Sequence, residues 1–219
     1  MNVLAIETAT DQGGAALLTS QGGAYSALFH LPRRHGELLP GCVGAVLSSS
    51  GLSPVDLDLV AVDIGPGSFT GLRIGIAFAR ALAQAHDIPL VGVRQTEALG
   101  LPIAAWWPGQ VAVWIHDRRD FVYHAWVTRE RAGREVVQKA ANAIEKLRGK
   151  REVLVVGSGA IVFSDLLRER GVGLPAQSWV YPDPVEVARL GLKRYRTEGP
   201  TEEVEPLYVQ PPLAGEKEA

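Results

Sequence analysis

The chain has 219 residues, of which 47% are hydrophobic and 21% charged, and its formal net charge is −2. This length suits one large domain or two small ones, and the composition is typical of an ordinary globular protein. So small a net charge excludes a global positive field that draws the protein to nucleic acid, and an RNA partner would need most of its phosphate contacts from elsewhere.

The amino-terminal part predicts an antiparallel meander followed by a parallel strand–helix–strand unit. Glycine-rich turns separate the first three apolar runs, and the last two runs are joined through a helix, which implies a right-handed crossover. Residues 37–50 predict a further helix from their three- and four-residue apolar spacing. The predicted strands cover residues 3–7, 15–19, 25–31, 57–64 and 88–93.

The remainder of the chain shows a similar but looser arrangement. Alternating segments predict a pair of strands at 111–115 and 121–128, and an apolar run predicts another at 153–156. Helices are predicted over residues 95–105, 140–147, 161–170 and 184–196. We therefore expect an α/β protein with a boundary near Gln95, dividing it into residues 1–95 and 96–219.

Residues 65–82, GPGSFTGLRIGIAFARAL, have the glycine content of a phosphate-binding loop. A Walker loop and a dinucleotide fingerprint both require glycine where Thr70 stands, and a nucleophile elbow around Ser68 fails at the same residue. The segment instead predicts a tight turn with Ser68 or Thr70 capping the following helix. The amides of that helix start, helped by Arg73, could hold an anion, and a purely structural turn is the equal alternative.

The helix after this turn carries a stripe of small residues. Gly71, Gly75, Ala79 and Ala83 are spaced by four, whereas apolar residues cover most of the other sides. Glycine inside a helix costs roughly 1 kcal/mol relative to alanine, so the glycines indicate a gain from close packing. A helix of a second molecule is the favoured neighbour, and packing within the chain is the alternative.

Three other groups are weaker candidates. Glu7, Thr8 and Thr10 end the first strand in a turn, where one large fold class contacts nucleotide phosphate, but they are equally a polar turn. The basic residues 148–151 are more typical of a solvated loop than of an RNA contact. The pair Trp106-Trp107 is more typical of a core or a domain interface than of a base-stacking platform.

Four segments together resemble the bacterial TsaB (YeaZ) family, and the similarity spans the whole chain. The most specific is GPGSFTGLRIG, from Gly65 to Gly75. The others are Ile6-Glu7-Thr8-Ala9-Thr10, Pro32-Arg33-Arg34-His35 leading to Leu39-Pro40, and Pro206-Leu207-Tyr208-Val209. Two positions depart from the family, because Glu7 stands where relatives commonly have aspartate and Gln210 where they commonly have arginine.

The resemblance implies a two-lobed, actin- and Hsp70-like fold of the ASKHA class, each lobe a mixed sheet with flanking helices. It implies a non-catalytic subunit in making threonylcarbamoyladenosine beside the tRNA anticodon. In that family TsaD is the catalytic, metal-carrying partner and TsaE the associated ATPase. The subunit would have no catalytic residue, metal or cofactor of its own, although a nucleotide could bind at the subunit joint, and tRNA would be contacted mainly through the complex.

The resemblance also implies which residues contact TsaD, because family members pair with it through their first lobe. On this chain the contact would use the helices at 37–50 and 71–83, and a homodimer could form through the same face. The predicted interface is Leu38, Leu39, Cys42, Val43, Val46, Gly71, Leu72, Gly75, Ile76, Ala79 and Ala83. The predicted anion or nucleotide residues are Glu7, Thr8, Thr10, Ser68, Thr70 and Arg73.

Two enzymatic alternatives stay open at this point. One is an ATP-using kinase or ATPase of the same fold, with Glu7 and Gly157-Ser158-Gly159 as its phosphate-site candidates. The other is a stand-alone metallopeptidase. The chain begins without a basic signal-peptide region, and no uncharged run approaches the roughly 18 residues of a membrane helix, so we expect a cytoplasmic protein without membrane contact.

Overall fold

The computed structural model describes residues 1–150, 152–174 and 179–209, and Gln210 lies outside these ranges. The described chain forms two compact units. The first unit combines Met1–Ala98 with Pro182–Leu207, and the second contains Leu99–Tyr181. The division at Gln95 needs a correction, because the predicted second part, 96–219, includes a segment that returns to the first unit.

The sheet of the first unit has the strand order β3-β2-β1-β4-β5. Its strands are β1 (Val3–Glu7), β2 (Gln12–Leu18), β3 (Ala24–His30), β4 (Leu59–Asp63) and β5 (Leu90–Val93). Strands β1, β4 and β5 are parallel, and β1, β2 and β3 form an antiparallel meander. The predicted combination of a meander and a parallel crossover is confirmed.

Strand β2 begins earlier than predicted, because Gly13 and Gly14 belong to the strand and not to a turn. A Cβ at Gly13 would lie 2.9 Å from a ring carbon of Phe29, and one at Gly14 the same distance from Leu28 Cδ2. A Cβ at Gly14 would also collide with the Ala27 carbonyl oxygen, so side chains and backbone of β3 together occupy the space that larger residues in β2 would need.

Helices cover both faces of this sheet. They are α1 (His35–Ser50) and α2 (Phe69–His86) on one face and α7 (Pro184–Glu198) on the other. Alternate strand residues face the two layers, so that Leu4, Ile6, Val60 and Val62 lie in the core with α1 and α2. Val3, Ala5, Leu59 and Ala61 lie in the core with α7. The second apolar face of the sheet explains why the carboxy-terminal helix returns to the first unit.

The second unit has a smaller sheet of order β8-β7-β6-β9, again with one parallel pair, β6 and β9. The strands are β6 (Gln110–His116), β7 (Phe121–Val127), β8 (Val136–Lys139) and β9 (Val153–Val156). The helices are α3 (Gln95–Ala104), which begins in the first unit, α4 (Ala140–Glu145), α5 (Ser158–Val162) and α6 (Ser164–Glu169).

Two predictions for this unit were wrong in detail. Strand β8 was missed because it is only four residues long. The helix predicted over residues 161–170 is broken at Phe163, which leaves the helical conformation and packs its ring against the core. Among the described residues, none of the helices has the length and apolar content needed to cross a membrane.

Candidate functional site

The turn after β1 is packed against the start of α2. The Ser68 amide donates a hydrogen bond to the Ala9 carbonyl oxygen at 2.7 Å, and the Thr8 hydroxyl donates to the Gly71 carbonyl oxygen at 2.8 Å. The Ser68 hydroxyl accepts from the Gly71 amide at 3.2 Å, as predicted for a helix cap. We call this contact the β1–α2 seam and define it by Thr8, Ala9, Ser68, Gly71 and Gly75.

The predicted anion-binding residues are brought to this region, but several are already engaged within the chain. The Thr10 hydroxyl donates to the Gln12 carbonyl oxygen at 2.8 Å, and the Arg73 guanidinium lies 3.8 Å from the centre of the Phe69 ring. Thr70 is exposed at the helix start. The geometry is that of a capped strand-to-helix turn, and a role in nucleotide binding stays a prediction.

The small-residue stripe of α2 faces the interior of the first unit. A Cβ at Gly71 would collide with the Thr8 carbonyl oxygen, and one at Gly75 would collide with the Thr8 hydroxyl and lie 3.4 Å from Ile6 Cγ2. Ala79 and Ala83 are buried as well. The expectation that this stripe is bare for a second molecule was therefore wrong, because the glycines admit the chain's own first strand.

Other predicted interface residues are also interior. Five of them are buried in the same unit, namely Leu39, Val43, Val46, Leu72 and Ile76. Leu38 and Cys42 are half-buried. Burial also raises the pKa of the Cys42 thiol, which makes it a poor nucleophile. The buried residues hold α1 and α2 on the sheet. A partner contact through the half-buried Leu38 and Cys42 stays a prediction.

Helix α1 instead exposes a continuous face of small, mostly uncharged residues. We call it the α1 open face, and its exposed members are Gly36, Glu37, Pro40, Gly41, Gly44, Ala45, Ser48 and Ser49. No atom lies within 4 Å of a Cβ built on Gly41 or Gly44. Exposed helix faces are ordinarily charged, so a face with one carboxylate in its first turn and none beyond is suited to a close helix–helix contact.

Two carboxyl groups are buried side by side in the same unit. Glu7 and Asp63 end the neighbouring parallel strands β1 and β4, and neither is exposed to solvent. Glu7 Oε1 accepts from the Ala9 amide and Asp63 Oδ1 from the Gly65 amide, each at 2.7 Å. The other oxygens, Glu7 Oε2 and Asp63 Oδ2, have no hydrogen-bond partner among the described residues.

Burial changes the acidity of this pair. It raises the pKa of Glu7 well above the ordinary value, and the negative charge of Asp63 raises it further. Burial also raises the pKa of Asp63, to about 7, and the charge of Glu97 adds to the effect while the Gly65 amide opposes it. The pair therefore retains a proton near neutral pH.

Sequence reasoning missed Asp63 and the buried Gln95, whose Oε1 also lacks a partner among the described residues. The backbone N–H of Gln95 donates to the Gly65 carbonyl oxygen at 2.8 Å. A signal was available for Asp63, because acidic residues lie at the end of predicted strand 3–7 and one residue before the end of predicted strand 57–64. The ends of strands that pair in parallel meet at one sheet edge.

The glycine segment of the second unit is also engaged internally. The Gly157 amide donates to the Trp179 carbonyl oxygen at 2.9 Å, and the Ser158 hydroxyl accepts from the His116 amide at 3.0 Å. Within the described ranges, no group of three or more His, Cys, Asp or Glu side chains is arranged to hold a metal ion.

Comparison with known proteins identifies the relatives of this chain. Residues 22–170 match the family model described as TsaD, tRNA N6-adenosine threonylcarbamoyltransferase, which is more than half of the chain. The tRNA threonylcarbamoyladenosine biosynthesis protein TsaB of Escherichia coli is 32% identical, over 99% of this chain and 98% of the relative. The corresponding TsaB of Bacillus subtilis is 30% identical, over 89% and 88%.

Solved structures agree with this assignment. YeaZ from Pseudomonas aeruginosa superposes with a TM-score of 0.78 at 25% identity, covering 94% of this chain and all of that one. A more distant likeness, at 8% identity and a TM-score of 0.51, is to a Bacteroides thetaiotaomicron protein of actin-like ATPase fold, and it shows the predicted fold class alone. The chain belongs to the TsaB (YeaZ) family.

Proposed function

We propose that this chain is a non-catalytic subunit in tRNA threonylcarbamoyladenosine biosynthesis, which docks a TsaD-type catalytic subunit and holds it in an active arrangement. The observation that carries the proposal is the α1 open face, where Gly41 and Gly44 leave room for another helix. Full-length similarity to TsaB and a match to the TsaD model over residues 22–170 support a complex of two related chains.

The chemistry of the first unit supports a role without catalysis. Glu7 and Asp63 are fully buried, and the Thr8 and Ser68 hydroxyls are engaged in the β1–α2 seam. We extend the proposal to a TsaE-type ATPase as a working partner, to a cytoplasmic location, and to a homodimer through the same face when the catalytic subunit is absent.

The test is to purify the chain with TsaD and TsaE from the same organism and measure complex formation and tRNA modification. We expect Gly44→Leu to fold normally and to weaken binding to TsaD by at least about 100-fold, since its side chain would enter the space of the docked helix. Lys193→Leu is the matched control, because it adds an exposed leucine to α7 on the opposite side of the sheet.

Three results would reject the proposal. They are the absence of a complex with the wild-type chain, modification activity that is unchanged without it, and ATP turnover by the isolated chain. If a folded Gly44→Leu variant pairs as tightly as Lys193→Leu, then docking uses a surface other than the α1 open face.

A further inference from the structure

The second unit contains a cavity that the proposed function does not use. Its volume is about 490 Å³, and it lies beside α4, the segment that follows α4, and the turn after α6. Apolar side chains from these elements form the floor, namely Ile144, Leu147, Val153 and Val172. We call this cavity the α4 pocket. Its volume is within the range of small-molecule sites, which are roughly 300–1,000 Å³.

The rim of the α4 pocket is positively charged. Arg148, Lys150 and Arg170 line it, and Glu152 is the acidic residue among the described lining residues. Both arginines share one carboxylate, Glu145, with Arg170 at 2.8 Å and Arg148 at a longer 3.7 Å. The Arg148 side chain is 79% exposed, so this ion pair is worth little and leaves the guanidinium accessible to an anion.

An aromatic wall borders the same pocket. Trp107 lines it, and its indole N–H donates to the Glu152 carbonyl oxygen at 2.8 Å, which orients the ring. Trp106 meets Trp107 edge-on with ring centres 6.0 Å apart and lies 5.3 Å from Trp179. Trp106 is 54% exposed. The core alternative for this tryptophan pair is therefore wrong for Trp106, which presents a large aromatic surface to solvent next to Trp107.

These features together select a ligand that is anionic at one end and planar at the other. Arginine and lysine side chains bind phosphate, and tryptophan faces stack on nucleic-acid bases without strong sequence preference. A nucleotide combines both groups and suits the pocket volume. The negative net charge of the chain argues against general duplex binding, which depends on an extended positive surface.

We propose that the α4 pocket binds single-stranded RNA, with one base against Trp107, its phosphates on Arg148 and Arg170, and a neighbouring base on Trp106. The choice of RNA rests on the proposed function, because a subunit of a tRNA-modifying complex would meet unpaired tRNA segments. The site itself rests on the geometry of the second unit alone.

The test measures binding of a fluorescein-labelled single-stranded oligoribonucleotide of about 12 nucleotides to the full isolated chain by fluorescence anisotropy. At about 50 mM salt we expect Arg148→Glu to weaken binding about tenfold and to reduce the salt dependence. Arg129→Glu is the matched control, since Arg129 is another exposed arginine of the second unit, and it should change the affinity less than about twofold. Trp106→Ala should weaken binding by a similar tenfold, because it removes a stacking surface.

Each alternative result counts against the pocket. The proposal is overturned if the wild-type chain does not bind, if Arg148→Glu and Arg129→Glu behave alike, or if a duplex of the same sequence binds as tightly as the single strand. Competition by free AMP as effective as by the oligonucleotide would also overturn it, by showing that the pocket takes a free nucleotide.

The two proposals fail separately. Gly44→Leu should bind RNA like the wild-type chain and bind TsaD more weakly. Arg148→Glu should bind TsaD like the wild-type chain and bind RNA more weakly. A chain that binds single-stranded RNA at the α4 pocket without pairing with TsaD would reject the docking proposal alone.

Discussion

The two glycine-bearing helices of the first unit use glycine in opposite ways. In α2, Gly71 and Gly75 lie in the β1–α2 seam, where the first strand and its turn fill the space beside them. In α1, Gly41 and Gly44 face outward with nothing within 4 Å of a built Cβ. Glycine is costly inside a helix in both cases, so each pair indicates a close approach. In α2 the neighbour is already present in the chain, and in α1 it is not.

This difference shows how a small-residue stripe should be interpreted. The four-residue spacing of Gly71, Gly75, Ala79 and Ala83 correctly indicates tight packing, but it contains no information about which surface is packed. The sequence pattern does not single out Gly41 and Gly44 in α1, because the buried Leu39, Val43 and Val46 dominate the periodicity of that helix. The exposed pair is the better candidate for a partner, since its packing is incomplete in the isolated chain.

The largest expected effect comes from adding one methyl group to the β1–α2 seam. Gly71→Ala should destabilise the protein by about 3 kcal/mol, because the new Cβ meets backbone at Thr8 and no side-chain rotation can relieve the clash. Urea denaturation followed by circular dichroism measures this change. A variant as stable as wild type would contradict the close contact between Gly71 and the Thr8 carbonyl oxygen.

An intermediate effect concerns the buried pair next to the seam. Folding raises the pKa values of Glu7 and Asp63, so the folded state binds more protons and this contribution to stability falls as pH rises from about 4 through 7. Asp63→Asn should remove the part of that fall that comes from Asp63 and from its charge on Glu7, while the part caused by burial of Glu7 stays. Near pH 8 the variant should be more stable than wild type by about 1–2 kcal/mol.

The pH prediction also requires that the charged group next to Asp63 does not titrate in the same pH range. Glu97 faces Asp63 and is paired with Arg94 at 3.0 Å and with Arg194 of α7 at 2.8 Å. These pairs lower the pKa of Glu97 against the opposing effect of its burial, so it stays charged across the same pH range. Urea titrations at several pH values check the prediction, and a difference between the variant and wild type that does not grow with pH would contradict it.

The smallest effect has the opposite sign and is expected on the α1 open face. Gly44→Ala should stabilise the isolated chain by about 0.5–1 kcal/mol, since alanine is the better helix former and its methyl group enters open space. Thermal unfolding of the same preparation measures it. Destabilisation by Gly44→Ala would mean that this face is packed in solution by another copy of the chain.

Much of the fold could be predicted from periodicity and turn chemistry. The three-strand meander, the parallel β4–β5 crossover, the cap at Ser68 and the end of α1 at Gly51, whose φ is +71°, all follow from local patterns. The placement of α7 could not be predicted. The pattern of an amphipathic helix indicates that one face is buried, but it does not indicate which apolar surface covers that face. The break at Phe163 could not be predicted from the local pattern for a similar reason, because the contact of Phe163 with the core overrides the helical periodicity.

The same distinction between local patterns and long-range contacts applies to the candidate sites. The sequence by itself determined the secondary structure, the family and the existence of a tightly packed, glycine-containing helix, because these depend on neighbouring residues and on the order of motifs. Only the tertiary structure decided that α2 turns its glycines inward, that α1 leaves an open face, and that Glu7 lies beside Asp63. These facts depend on contacts between residues far apart in the chain, and the distances, burial and missing partners at such contacts exist only after the sheet has assembled.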